Sequence, residues 1–152
     1  MTTVTPETCG CPPTLPVPTT SGVHHVIITV NELARSRPFY AALMPRLGYS
    51  GSWDAEGAPV IGWFGAGGSF WVKQAGARYL GERFSKDRVG LCEVAFRAES
   101  RDQVDALARD VEGFGGTILD PPREYAYTPG YYAVFFSDPD GMKLELVHIP
   151  AR

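Results

Sequence analysis

Few cysteines, few histidines and no long apolar run set the first limits on this 152-residue chain. Three cysteines cannot build a disulfide framework. Cys9 and Cys11, separated only by Gly10, are too close for easy mutual pairing and read as two exposed thiols. Capture of a soft metal is the other use of such a pair. Cys92 alternates with apolar strand residues and is expected to be a buried small hydrophobe. The absence of about 18 consecutive apolar residues excludes a membrane-spanning helix. No basic segment followed by an apolar core opens the chain, so a secretory signal is not expected and a cytoplasmic location follows. Neither sign of charge dominates: the formal net charge is −3 and the pI about 5.6, which argues against nucleic-acid or anionic-membrane partners. Gly65, Gly67 and Gly68 are followed by neither a helix nor a Lys-Ser/Thr pair, so they make no phosphate loop.

What is present is an ordinary globular composition, 44% hydrophobic and 20% charged. Eight Phe, seven Tyr and three Trp can fill a core or line a cavity. Residues 1–21 form a Pro/Thr-rich extension without periodicity. Residues 22–150 read as one domain built of module one (22–75), a polar linker (76–89) and module two (90–150).

That division rests on an internal repeat. HVIITV, starting at His25, leads through Asn31 into the helical pattern ELARSRPFYAALMPRLG; EVAFRA, starting at Glu93, leads through Glu99 into SRDQVDALARDVEGFGG. Sliding one copy over the other places His25 on Glu93, and matching SFWVK with KLELV places Trp71 on Glu145. Duplication of this kind implies two half-structures related by a pseudo-twofold axis.

Each half reads as β-α-β-β-β. The first helix carries Leu33, Phe39, Tyr40, Leu43 and Leu47 as its apolar stripe, with Asn31 as cap and a kink or short final turn at Pro38 and Pro45. Strands are expected at 49–54, 59–65 and 69–74 in module one, and at 90–98, 117–119, 131–137 and 142–148 in module two, whose helix spans 101–114. Asp138-Pro139-Asp140-Gly141 supplies turn chemistry between the last two strands. Strand parity then matters for function. If the helix covers Val26, Ile28 and Val30, the opposite concave face receives His25, Ile27 and Thr29. The same parity sends Glu93, Ala95 and Arg97 inward, with Lys143, Glu145 and Val147.

The opening HHVIITVNELARSRPFYAALMPRLGY and the closing YYAVFFSDPDGMKLELVH resemble the motifs of the vicinal oxygen chelate superfamily, over roughly residues 22–149. That superfamily includes glyoxalase I, extradiol dioxygenases, fosfomycin-modifying enzymes, methylmalonyl-CoA epimerase and bleomycin-binding proteins. The resemblance implies an α+β glyoxalase-like fold, with paired βαβββ modules forming open curved sheets around a cavity. It also implies metal ligands at His25, Glu93 and Glu145, although Glu93 stands where the family usually has histidine. Trp71 falls on the fourth position and cannot ligate.

One imidazole and two carboxylates would bring a divalent ion to zero net charge, and an oxygen-rich set suits Mn or Mg, with Zn, Fe or Ni also open. The usual iron-oxygenase triad has two histidines and one carboxylate, so a lyase or isomerase step is favoured over dioxygenase chemistry. The metal would stabilise an oxyanion or enolate of a small molecule with adjacent oxygens. Beside Glu145, catalytic roles are expected for Glu124 and Tyr127 in the PPREYAYTPGYY loop, with Trp71, Trp63, Arg97, Tyr132 and Phe135 contacting substrate.

The competing expectation is a metal-free protein that sequesters an aromatic drug or metabolite, as bleomycin-binding relatives do. Arg97 and Lys143 would then neutralise the glutamates as ion-pair partners. His24 and His148 fall on the helix side and read as packing or surface groups. A homodimer is expected in either case, because each open module leaves an edge strand exposed.

Overall fold

The computed structural model describes residues 22–150, so the N-terminal extension with Cys9 and Cys11 lies outside the described residues. Strands β1 (His25–Val30), β2 (Gly51–Trp53), β3 (Val60–Gly65) and β4 (Gly68–Gln74), with helix α1 (Leu33–Arg46), make the first module. Strands β5 (Val94–Arg97), β6 (Thr117–Glu124), β7 (Tyr132–Ser137) and β8 (Lys143–His148), with helix α2 (Arg101–Asp110), make the second.

The two sheets repeat one topology, β1-β4-β3-β2 and β5-β8-β7-β6, with the first pair parallel and the others antiparallel. Register confirms the duplication residue by residue. Ile27 stands opposite Trp71 in the first sheet as Ala95 stands opposite Glu145 in the second. The fold is the α+β arrangement of two open βαβββ modules expected from sequence.

Helix α1 runs unbroken through Pro38 and Pro45, where a kink or short turn was expected. The two prolines lie seven residues apart on the exposed side, so the carbonyls they leave without intrahelical partners face water. Its other side buries Phe39, Tyr40, Leu43 and Met44 completely, roughly 1.5–3 kcal/mol each for the larger aliphatic and aromatic groups. Asn31 does not cap α1. The Gln74 side chain on β4 does that work, accepting from Leu33 N–H at 2.8 Å and donating to the Asn31 carbonyl at 2.6 Å. Asn31 instead ties down the linker, accepting from Gly81 N–H at 2.7 Å and donating to the Glu82 carbonyl at 2.7 Å.

Helix α2 is capped by Ser100, whose hydroxyl accepts from Gln103 N–H at 3.2 Å. It gives way to a single 3₁₀ turn at Glu112–Phe114, so the helical span is split rather than continuous over 101–114. Strand β6 runs to Glu124 through Pro121 and Pro122, a stretch expected to be loop. An edge strand can hold prolines because one side needs no N–H donors, and the register shifts around Asp120 absorb them.

The helix-side faces of both modules form one core. Phe96 of β5 meets Phe70 of β4 at 5.5 Å and Tyr49 at 6.3 Å between ring centroids. The Asp138–Gly141 turn locks onto this core. Asp138 accepts from the Asp140 and Met142 N–H groups and from the buried Tyr40 hydroxyl at 2.8 Å. Asp140 in turn accepts from Asn31 N–H at 2.5 Å and pairs with Arg35 at the start of α1, where a carboxylate also complements the helix dipole. Cys92 is exposed rather than buried, because β5 begins only at Val94 and the segment before it lies on the surface. No helix among the described residues is long and apolar enough to cross a membrane.

Candidate functional site: a carboxylate pair under a tyrosine loop

On the face of the second sheet turned away from α2, Glu145 is flanked by Ala95 on β5 and Phe135 on β7. The Glu145 side chain is buried, with 2% exposure, and accepts a 2.5 Å hydrogen bond from the Tyr131 hydroxyl. Burial raises the proton affinity of Glu145. The Tyr131 hydrogen bond opposes this, the Glu93 charge adds to it, and Lys143 opposes it again. Tyr131 is itself pushed up, first by burial and then by the carboxylate it serves.

Glu93 precedes β5 on the same face. Lys143 Nζ lies 2.5 Å from Glu93 Oε2. The contact is an ion pair to an oxygen shielded from solvent. The ammonium also sits 4.3 Å above the Phe135 ring.

Residues 125–131 fold over this floor, closed by a Tyr125 N–H to Tyr131 carbonyl bond of 2.9 Å. Tyr125 meets Phe135 edge-on at 5.2 Å, Tyr127 stacks on Tyr125 at 5.5 Å, and Tyr131 abuts Tyr127 at 5.2 Å. Asp120 fixes the base of the loop, accepting from the Tyr125 hydroxyl at 2.7 Å and pairing with Arg123, whose guanidinium covers the Tyr125 ring. Burial, then the Asp120 hydrogen bond, push the Tyr125 hydroxyl up to about 12.

The matching face of the first sheet carries His25 opposite Ser69 and Ile27 opposite Trp71. The Trp71 indole donates to Ser69 Oγ at 2.9 Å and lies against Phe64 and Trp53. His25 is exposed, with its Nδ1 2.9 Å from Nδ1 of the equally exposed His24.

The structure thus brings Glu93, Glu145, Phe135 and Tyr127 into one neighbourhood and leaves His25 and Trp71 on the other module's face. Among the described residues no three His, Cys, Asp or Glu side chains gather as a metal-holding group. Glu93 is engaged by Lys143 and Glu145 by Tyr131, so in a single chain the expected donor set does not fit a metal ion.

Three expected site residues lie elsewhere. Trp63 is in the core, in register with Phe70 and packed on Tyr40, because its strand parity faces α1. Tyr132 faces α2, donating to Asp105 at 2.8 Å beneath Arg101. Glu124, its cross-strand neighbour, pairs with Arg101 at 2.5 Å on that same side. Arg97 does lie on the expected face and is exposed, but the partner of Glu93 is Lys143. Tyr131 was not foreseen, although parity counted back from Phe135 would have found it.

Open recesses occur at the module junction. One of about 690 Å³ lies between Arg35, Gln74, Arg83 and the Asp138–Gly141 turn. A second, about 390 Å³, is lined by Ile27, Thr29, Phe84, Val89 and Leu91. Lys143 borders a third of about 240 Å³, with Phe84 and Leu119.

The paired βαβββ fold is that of the vicinal oxygen chelate proteins, and comparison with known proteins agrees. The chain belongs to the Glyoxalase/Bleomycin resistance protein/Dioxygenase superfamily, which matches residues 22–146. It is 34% identical over 128 residues to the uncharacterized protein YqjT of Bacillus subtilis (strain 168), covering 82% of this chain and 97% of that protein. A glyoxalase/bleomycin resistance protein from Albidiferax ferrireducens T118 superposes with a TM-score of 0.68 at 26% identity, covering 84% and 98% of the two chains. A glyoxalase-related enzyme from Fulvimarina pelagi shares the fold, with a TM-score of 0.65 at 18% identity over 84% and 88%.

Proposed function

We propose that the chain is a small-molecule-binding member of this superfamily that works as a homodimer. Each cup combines the carboxylate floor of one copy with the Trp71 face of the other. The observation that carries this reading is the uncovered apolar face of module one. Ile27, Trp53 and Phe64 are 53%, 42% and 43% exposed there around Trp71, a cluster large enough to mark an interaction surface. A second copy related by a twofold axis would make the same contact twice and cover both clusters.

The ligand class follows from the walls. The exposed Tyr127 and the half-buried Trp71 offer ring surface to a flat or aromatic molecule, and the exposed Arg97 can meet its oxygens. Sequestration or acid–base turnover of such a molecule is the activity this geometry supports best. A metal-dependent reaction at His25, Glu93 and Glu145 would need each side chain released from its present partner, and His25 delivered by another copy.

Light scattering tests the reading directly. The chain is expected to run as a dimer at tens of micromolar, and Ile27→Asp to run as a folded monomer with weakened binding of aromatic probes. A monomeric native chain would sink the proposal.

A further inference from the structure

We propose that the Lys143 ammonium is the resident cation of the module-two acidic pair, standing where a divalent ion would otherwise be held between Glu93 and Glu145. The proposal concerns what neutralises the floor of the cup, so it stands whether or not two copies share that cup.

The duplication supplies the argument. In module one, His25 stands opposite Ser69. In module two, the pairing of Val94 with Leu144 puts Glu93 beside Lys143 at the matching place. The histidine–serine pair of one module is therefore a glutamate–lysine pair in the other. An imidazole would have no attraction for an ammonium, whereas a carboxylate does. Two independent contacts hold Lys143 in position, Glu93 Oε2 at 2.5 Å and the Phe135 ring at 4.3 Å. Its side chain is 24% exposed, too covered to be a freely solvated surface lysine.

Glu145, the other carboxylate of the pair, has its own internal partner in the Tyr131 hydroxyl. An entering divalent ion would have to displace the ammonium from Glu93 and then tolerate a like charge a few ångströms away. With the lysine removed, the buried Glu93 oxygen would be left without its cationic partner and able to bind a metal instead.

The test is a Mn²⁺ titration of the full-length, chelator-stripped protein, followed by loss of the free-ion electron paramagnetic resonance signal. Mn²⁺ prefers oxygen donors and has little affinity for the Cys9 and Cys11 thiols. The native chain is expected to take up no saturable ion at this site. Lys143→Met is expected to bind Mn²⁺ at least about tenfold more tightly, and Glu93→Gln/Lys143→Met to lose that gain. Where Lys143→Met fails to fold by circular dichroism, Lys143→Gln keeps a polar side chain and is judged by the same outcomes. Equal Mn²⁺ affinity in the native chain and the folded lysine variant would overturn the proposal. So would a gain that survives Glu93→Gln. Light scattering on the same samples reports the dimeric reading separately.

Discussion

The Trp71 indole lies directly on the bare backbone of Gly62: a Cβ built on Gly62 would stand 2.4 Å from Trp71 Cε3. The two residues are cross-strand partners on β3 and β4, so no slip of register can relieve the contact. Gly62 thereby sets the tilt of the ring that Trp53 and Phe64 surround. Gly62→Ala is expected to destabilise the chain by about 1–3 kcal/mol and to shift tryptophan emission. Urea unfolding of Gly62→Ala, Trp71→Ala and the double variant checks it. Most of the Gly62→Ala cost should vanish once the indole is removed, a non-additive result that independent sites would not give.

A second prediction concerns Tyr40, which is fully buried and hydrogen-bonded to Asp138. Burial, and then the Asp138 charge, raise its proton affinity well above the ordinary 10.0. The folded state therefore keeps a proton that the unfolded state releases. Stability should be intact below the ordinary value and fall as pH rises past it. Urea midpoints measured from about pH 9 to about pH 11 should drop steeply for the native chain and less for Tyr40→Phe. At neutral pH Tyr40→Phe should cost only about 1–3 kcal/mol, since Asp138 retains its two backbone donors.

The fold was readable because its signals are local and repeated. Alternation in β1 and β8, the Asp138–Gly141 turn and the doubled strand-helix pattern each specify geometry over a few residues. Parity alone placed Glu93 and Glu145 on one face of the second sheet. It could not place His25 with them, because parity reports which face of a sheet a residue occupies and not which sheets face each other. Trp63, Tyr132 and Glu124 were misplaced for a related reason. Aromatic and carboxylate side chains suit a cleft as well as a helix interface, and only packing against Tyr40, or pairing with Asp105 and Arg101, decides between them. Gln74 as the cap of α1 was beyond sequence reasoning, since Gln74 and Leu33 are joined only by tertiary structure.

Glu145 supplies a third prediction. Its proton affinity is raised chiefly by burial, so the native state binds a proton that the unfolded state gives up near the ordinary value of 4.5. Stability should therefore be greatest below that value and decline as pH rises through the raised one. Glu145→Gln keeps an oxygen for the Tyr131 hydroxyl but cannot ionise. The variant should flatten the decline while losing ligand binding, as expected of a site that sacrifices stability for function. Denaturant midpoints from about pH 4 to about pH 7 measure the first part, and probe binding the second. An unchanged pH slope would mean that Glu145 is not the group responsible.

Tyr131 acts on Glu145 and on the loop at once, and a single variant separates the two effects. Its hydroxyl lowers the proton affinity that burial raises. Tyr131→Phe should move the Glu145 carboxyl further up, so that the decline in stability with rising pH extends to higher pH. Carboxyl resonances followed by NMR through the titration measure the shift. The ring contact with Tyr127 survives in Tyr131→Phe, as does the backbone bond from Tyr125. Amide exchange in residues 125–131 should therefore rise by no more than about tenfold, the equivalent of one hydrogen bond near 1.4 kcal/mol. Tyr131→Ala removes the ring as well and should open the loop much further. If both variants exchange alike, the hydroxyl alone holds the cover over Glu145, and the stacked tyrosines contribute nothing to closing it.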